Sequence, residues 1–149
     1  MADDPATDAL DQSALVDDLS FLLARANALS IAAGNAALRA HGLKVRSYSV
    51  LALAGAAHAP TQREIAECLR LDPSQVVALV DELQRAALVE RAPDPRDRRA
   101  NIIVATATGR ALLDRARVAV GDAERELHAG LSAPERATLA ELLRKAATA

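Results

Sequence analysis

The chain of 149 residues has almost no aromatic side chains: one Tyr, one Phe and no Trp. Hydrophobic residues nevertheless make up 51% of it, so a core has to be built from alanine, leucine and valine. Aromatic and β-branched residues are the usual strand formers, whereas alanine and leucine favour helices. A chain of this length forms one domain, with or without an extension, and buries a proper core. The composition therefore predicts a mostly α protein.

Cysteine and other groups with reactive chemistry are also scarce. The single cysteine, Cys68, excludes an internal disulfide framework and a metal cage made of cysteines alone. The three histidines share no local ligand spacing, so we expect neither a metal site nor a cofactor. The chain has no Ser/His/Asp arrangement and no glycine-rich phosphate loop. We therefore expect no catalytic residues and a protein that is not an enzyme.

Signals for a membrane span or for secretion are not apparent in the sequence. No apolar stretch approaches the roughly 20 residues that cross a bilayer. The first residues, MADDPATDALDQ, are acidic where a signal peptide is basic. We therefore expect a cytoplasmic protein without membrane contact, and a disordered acidic tail over residues 1–12, which have little to bury.

Apolar residues recur at helical spacing in most of the chain. The pattern predicts four helices outside the middle of the chain, over about 13–40, 45–57, 107–130 and 132–147. Ser132 and Glu135 form a capping box at the start of the last of these helices. Long helical segments therefore flank the central part of the chain.

Two capped helix starts lie close together in that central part. Thr61 is an N-cap, and Glu64 stands at the capping-box position three residues later. Asp72 is the next N-cap, with Pro73 at the first helical position and Gln75 at the box position. The two helices begin eleven residues apart and are joined by a turn of about three residues. This is the spacing of a helix-turn-helix.

Two strand-like runs follow, LVERA (88–92) and NIIVA (101–105), and they flank the turn-forming residues PDPRDRRA. Although the net charge of the chain is −2, nine residues here contain four arginines: Arg91, Arg96, Arg98 and Arg99. We expect Asp94 and Asp97 to brace these arginines by pairing. Guanidinium groups massed on an exposed hairpin indicate a negative partner. The element order predicts a winged helix-turn-helix over residues 41–106.

The helix that starts after Asp72 has the surface of a recognition helix. Its apolar side holds Val76, Leu79, Val80 and Leu83, and its opposite side is small or polar, which lets the backbone approach base edges. Gln75 can pair with adenine and Val77 can contact a thymine methyl group, while a wing rich in arginine suits the minor groove. We expect these DNA-binding residues: Thr61, Gln62, Ser74, Gln75, Val77, Ala78, Arg85, Arg96, Arg98 and Arg99. Against this, any amphipathic surface helix has such a face, and Asp81 would repel phosphates.

The segment TQREIAECLRLDPSQVVALVDELQRAALVER, followed by DPRDRRANIIVATATGRALL, closely resembles the MarR family of bacterial transcriptional regulators over about residues 40–115. The resemblance implies a homodimer whose dimerisation helices are residues 13–40 and 107–149. It also implies binding to double-stranded DNA at a pseudo-palindromic operator, mostly as a repressor, and release by a small anionic or aromatic effector. The family usually has glycine where this chain has Ala87; in a left-handed helix exit, alanine costs about 1 kcal/mol.

The family's effector pocket, carried over to this chain, would be built from the first, second and fifth helices. The polar residues Asn27, His41, Arg46 and Tyr48 lie in that neighbourhood, and Arg46 can pair with a carboxylate. Ordinary surface or capping roles explain these four residues equally well.

Three alternatives stay open at this point. Cys68 could make the protein a redox-sensing repressor, although we expect it on the buried stripe of the third helix as a structural cysteine. The winged helix could serve protein contacts alone, without DNA. The third alternative concerns assembly. A dimer is favoured because one half-site contact buries too little surface for specificity, and recognition helices about 34 Å apart match one turn of duplex. The apolar stripes of the terminal helices could instead pack within their own chain.

Overall fold

The computed structural model describes residues 13–148 and shows, over that range, six α-helices and one two-stranded antiparallel hairpin. The elements are α1 Leu19–Leu38, α2 Val45–Ala54, α3 Gln62–Leu69, α4 Pro73–Arg85, β1 Val89–Pro93, β2 Asn101–Ala105, α5 Ala107–Leu127 and α6 Ala133–Ala147. The predicted mostly α winged helix-turn-helix is confirmed. The predicted acidic tail, residues 1–12, lies outside the described residues.

Contacts divide the chain into two compact units. The central unit is Gly34–Glu126, and the terminal unit combines the residues before Gly34 with those after Glu126. Helix α1 therefore belongs to the terminal unit up to Ala33 and to the central unit beyond it. The assignment of residues 13–40 and 107–149 to dimerisation, and of 41–106 to DNA binding, stays a prediction.

The hydrophobic core lies in the central unit. Its fully buried side chains come from α1, α2, α3, α4, both strands and α5, and they are almost all aliphatic, as the composition requires. The largest are Leu38, Leu51, Ile65, Leu83, Ile103, Val50, Val76, Val80 and Val89. The helix-turn-helix and the wing therefore share one packed interior.

Side-chain caps define where the helices begin. Thr61 Oγ1 accepts the Glu64 N–H at 3.2 Å, and Glu64 Oε2 accepts the Thr61 N–H at 2.7 Å, which confirms the first capping box. The predicted box of Ser132 with Glu135 is confirmed as well. At α4 the N-cap is confirmed, but the box is wrong: Asp72 Oδ1 accepts the N–H and the hydroxyl of Ser74, and Gln75 plays no capping part.

Several predicted helix boundaries differ from the observed ones. Instead of one helix over residues 13–40, a 3₁₀ turn over Ala14–Asp17 precedes α1, because Ser13 caps the turn and the Asp18 carboxylate accepts the Phe21 N–H at 2.8 Å. A second 3₁₀ turn, Arg39–His41, follows α1. Helix α2 stops at Ala54 and not at 57.

The wing is an antiparallel hairpin whose register runs from Val89 opposite Ala105 to Pro93 opposite Asn101. Both predicted strands are confirmed, the first displaced by one residue. The Ile103 N–H donates to the carbonyl of Pro60 at 2.8 Å, so β2 is also fastened to the segment before α3. This bond fixes the wing beside the helix-turn-helix.

The exit from α4, which the sequence left open, is left-handed. Ala87 has φ 57°, and the N–H groups of Ala87 and Leu88 donate to the carbonyls of Gln84 and Leu83, each at 2.9 Å. These bonds satisfy carbonyls that the helix end leaves free. An alanine therefore occupies a backbone conformation that favours glycine.

The terminal unit contains no buried side chain among its described residues, 13–33 and 127–148. It holds ten of the twelve large hydrophobic side chains that are exposed in the described chain: Leu15, Val16, Leu19, Leu22, Leu23, Leu29, Ile31, Leu139, Leu142 and Leu143. The apolar side chains of the terminal unit are therefore exposed and do not form a core.

Among residues 13–148, one segment reaches the length and apolar composition of a membrane span, namely Leu19–His41 with a mean hydropathy of 1.2. The prediction that no apolar stretch approaches the length of a membrane span is therefore wrong. The polar residues of α1 are few, so its mean hydropathy remains as high as that of a spanning helix. A single such helix is weak support for a membrane span.

Candidate nucleic-acid interface

Helix α4 turns a row of small and polar side chains away from the core. Val76 and Val80 are fully buried and Leu83 nearly so, while Leu79 is only half-buried. The predicted contact residues on the other side are all exposed: Ser74, Gln75, Val77, Ala78 and Arg85. Val77 keeps 41% of its surface exposed, which makes it an apolar contact site in a polar setting. The face is available to a macromolecule.

Carboxylates already occupy both helix starts of the motif. Hydrogen bonds from the side chain and the N–H of Ser74 lower the pKa of Asp72 at the start of α4. Bonds from the N–H and then the hydroxyl of Thr61 lower the pKa of Glu64 at the start of α3. Because these ionised groups use the free amides, a phosphate would meet negative charge at either helix start.

The Arg91 side chain forms hydrogen bonds with three different residues. Its Nε donates to Gln62 Oε1 at 3.0 Å, its Nη2 to Asp81 Oδ1 at 2.6 Å, and its Nη1 to Gln84 Oε1. The side chain is only 27% exposed. Arg91 is therefore tied to α3 and α4 and does not project from the hairpin tip, and Gln62, a predicted DNA contact, has its amide oxygen in use.

Arg96 is held by one carboxylate of the wing and one of α3. Its N–H, Nε and Nη2 donate to the Asp94 carboxylate at 2.8, 3.1 and 3.0 Å, and Glu64 Oε1 lies 3.7 Å from its Nη2. The Asp94 side chain is only 5% exposed, and bonding to Arg96 lowers its pKa while raising that of Arg96. The predicted bracing by Asp94 is confirmed. Asp97 acts differently, accepting the backbone N–H of Arg99 at 3.0 Å.

Arg98 and Arg99 have the opposite environment. Both are exposed at the tip of the hairpin, and neither side chain forms an ion pair with any of residues 13–148. Arg85, on α4, is exposed in the same way. With Arg70, which is exposed in the turn between α3 and α4, these guanidinium groups are positive charges of the motif without an ion pair among residues 13–148.

The four predicted effector-binding residues are divided between the two units. Asn27 is exposed in the terminal unit, whereas His41, Arg46 and Tyr48 belong to the central unit. Tyr48 packs against the core, His41 is half-buried, and Arg46 is exposed. Their role stays a prediction.

Sequence inspection missed a cleft of about 330 Å³ in the central unit. Its lining residues are Asn35, Arg39, Gly42, Leu43, Lys44 and Glu82. Arg39 and Lys44 converge there because of the 3₁₀ turn between α1 and α2, and this turn was not predicted.

Cys68 is exposed, so its predicted burial is wrong. The short helix α3 buries Ile65 and Ala66 and half-buries Leu69, which leaves position 68 on the solvent side. Within residues 13–148, no group of three or more His, Cys, Asp or Glu side chains is arranged to hold a metal ion.

Comparisons with known proteins agree with this geometry. The model of the MarR family matches residues 41–100. The HTH-type transcriptional repressor NicR of Pseudomonas putida is 38% identical over 90 residues, which cover 59% of this chain and 56% of NicR. The matches span between 56% and 60% of the length of the curated relatives.

Solved structures match over almost their whole length. A transcriptional regulator of the MarR family from Rhodococcus sp. RHA1 is 43% identical, with a TM-score of 0.85 and coverage of 91% of this chain and 96% of that one. CouR from Rhodococcus jostii RHA1, bound to p-coumaroyl-CoA, is also 43% identical, with a TM-score of 0.82 and coverage of 91% and 95%. On this identity and coverage, the chain belongs to the MarR family of transcriptional regulators.

Proposed function

We propose that the protein is a transcriptional repressor that binds double-stranded DNA at a pseudo-palindromic operator. The observation that carries the proposal is the pair of exposed guanidinium groups, Arg98 and Arg99, on the same unit as the small outward face of α4. Unpaired guanidinium groups on a wing can bind in the minor groove, because narrow segments of that groove concentrate negative potential. Net acidity of the chain does not oppose this, because the local field depends on where the charges lie.

The outward face of α4 favours particular bases. Gln75 has the donor and acceptor that pair with adenine, and the exposed Val77 offers methyl groups to thymine. The first two turns of α4 have no lysine or arginine, the side chains that most often read guanine. We therefore expect A·T pairs at the centre of each half-site, with Arg85 on the phosphate backbone.

A second copy of the chain is the proposed cover for the terminal unit. The terminal unit exposes ten large apolar side chains, eight of them on α1 and α6, and buries none among its described residues, which leaves it without a core in one chain. Symmetric dimers are the commonest soluble assembly, and two-fold symmetry matches a pseudo-palindromic site. In this arrangement the apolar surface of α1 faces protein, and the protein acts in the cytoplasm without a membrane.

The effector class follows from the similarity to CouR. Its ligand, p-coumaroyl-CoA, combines an aromatic ring with phosphate groups, and it fits the expectation of an anionic or aromatic effector. We propose an aromatic acyl-CoA as the first compound to test, with Asn27, His41, Arg46 and Tyr48 as candidate contacts. Release of DNA by the free acid alone, with no effect of the thioester, would reject this class.

The decisive experiment is footprinting on the DNA upstream of the coding region, followed by titration with salt. We expect a protected two-fold symmetric site of about two helical turns. Arg98→Ala should reduce the slope of log K against log [salt] by about one, because one phosphate contact is lost. The matched control is Arg117→Ala, an exposed arginine on α5, which should leave the slope unchanged.

Other outcomes favour the alternatives. Binding to duplex that is absent, or that is unchanged by Arg98→Ala, would leave a protein-interaction module. The exposure of Cys68 opens the redox alternative to a direct test, in which peroxide releases DNA from the wild type but not from Cys68→Ser. The transcriptional regulators to which the chain is similar are not enzymes, and we propose no reaction for it.

A further inference from the structure

We propose that Arg91 is a positioning residue that makes the outward face of α4 compatible with a phosphate backbone. It does so by neutralising Asp81 and by orienting the amides of Gln62 and Gln84. This inference rests on the proposed DNA-binding function. It concerns a residue that lies outside the tip of the wing and is not among the predicted DNA contacts.

The geometry converges on a single side chain. Arg91 is the third residue of β1, and three of its nitrogens each have a different acceptor, one from α3 and two from α4. The planar guanidinium carries donors in a fixed fork, so three simultaneous bonds fix the directions from which the two helices approach the strand. The wing, α3 and α4 are therefore joined at this one group.

Asp81 is the charge that needs an explanation. It lies on the same stripe of α4 as Ser74, Ala78 and Arg85, and 48% of its side chain is exposed. A bare carboxylate there would repel the phosphates that this stripe approaches. The bond from Arg91 Nη2 to Asp81 Oδ1 supplies the compensating charge, so Arg85 is left as the net charge of the stripe.

The two glutamines are oriented by the same group. Because the Oε1 atoms of Gln62 and Gln84 accept from Arg91, their NH₂ groups point away from the guanidinium. Amide NH₂ groups are donors, and phosphate oxygens accept from such groups. A glutamine amide can donate or accept a hydrogen bond. Arg91 fixes the orientation of both amides, so that each presents its NH₂ donor outward, at the start of α3 and at the end of α4.

The test is a double-mutant cycle on the footprinted duplex, measured by fluorescence anisotropy. Arg91→Ala should weaken binding about tenfold, because it leaves the Asp81 carboxylate unpaired near phosphates. Asp81→Asn alone should bind nearly as the wild type does. The double variant should recover most of the loss, since the repulsive charge is gone.

A conservative variant and a control pair complete the test. Arg91→Lys retains the charge without the fork and should bind with intermediate affinity, and it replaces Arg91→Ala in the cycle if the alanine variant fails to fold in a thermal unfolding assay. The matched control is the Arg117 and Asp114 pair of α5, where Arg117→Ala and Asp114→Asn should change binding less than twofold, singly or together.

Each result separates the possibilities. If Arg91 contacts phosphate directly, or only supports the fold, Asp81→Asn will not rescue Arg91→Ala, and the inference fails while the proposed function stands. If the wild type binds no duplex at all, the proposed function fails and the inference with it. Rescue by Asp81→Asn, with unchanged controls, establishes the positioning role.

Discussion

Gly109 is the residue at which the structure makes its sharpest stability prediction. It is the third residue of α5 and lies directly against the carbonyl of Leu88, just before β1. A Cβ atom at position 109 would lie 2.0 Å from Leu88 O and 2.9 Å from Leu88 C. Gly109→Ala therefore forces two pieces of backbone apart.

The size of the effect follows from what holds the Leu88 carbonyl. This oxygen accepts the Thr106 N–H at 3.0 Å and the Thr106 hydroxyl at 3.3 Å, so it cannot withdraw without weakening both bonds. Overpacking usually costs about 1–3 kcal/mol, and each of the two weakened bonds adds about 1 kcal/mol. The better helix propensity of alanine returns about 1 kcal/mol. We expect a net loss of about 2–4 kcal/mol in the free energy of unfolding.

The assay is thermal and urea unfolding of both proteins at one fixed concentration, since assembly links stability to concentration. The melting temperature should fall by roughly 3 °C per kcal/mol for a chain of this size. The matched control is Gly121→Ala in the same helix, where the new Cβ would meet only the mobile end of Arg125 at 3.6 Å. This control should gain up to about 1 kcal/mol.

A Gly109→Ala protein as stable as the Gly121→Ala protein would refute the reasoning. It would mean that the first turn of α5 is not seated on the strand as the structure places it.

Three further predictions concern other parts of the molecule. Ala87→Gly should raise the free energy of unfolding by about 1 kcal/mol, because glycine accepts φ 57° without strain; an unchanged urea midpoint would contradict this. Leu142→Asp should convert the proposed dimer to monomer in analytical ultracentrifugation, whereas Val77→Asp, which also places a carboxylate at an exposed apolar residue but in the central unit, should not; equal behaviour would place the interface elsewhere. Asp94→Asn should be less stable than the wild type at neutral pH. Because bonding to Arg96 lowers the pKa of Asp94, this contribution is present above about pH 4 and is lost as the pH falls through the folded pKa, so urea midpoints measured against pH should converge in acid.

Local signals carried most of the fold. The Thr61 capping box and the Asp72 N-cap act within a few residues, so the sequence alone predicts where α3 and α4 begin. The hairpin was predictable for the same reason, whereas the exit at Ala87 was not, because alanine disfavours the left-handed conformation that it adopts there. Helix ends were less predictable. The 3₁₀ turn before α1 depends on the Ser13 cap, and the turn after α1 ends at Gly42, whose φ is 67°, so both interrupt a continuous apolar stripe.

The candidate site was predictable only in part, because its bonds join distant residues. Arg91 stands 29 residues from Gln62 and 10 from Asp81, and no local pattern reveals such pairs. Burial of Cys68 was misjudged because a helix of eight residues needs only a narrow buried face. The exposure of Arg98 and Arg99 was foreseeable, since a short turn between two strands has no interior.

In the wing, different side chains maintain the loop conformation and present the exposed positive charge. The bonds between Asp94 and Arg96 hold the loop conformation, while Arg98 and Arg99 are exposed and available to bind a partner. Selection can therefore tune operator affinity by exchanging the outer pair without remodelling the loop. In an alanine scan, Arg96→Ala would therefore alter the conformation of the loop, whereas Arg98→Ala and Arg99→Ala would reduce the affinity for a negatively charged partner.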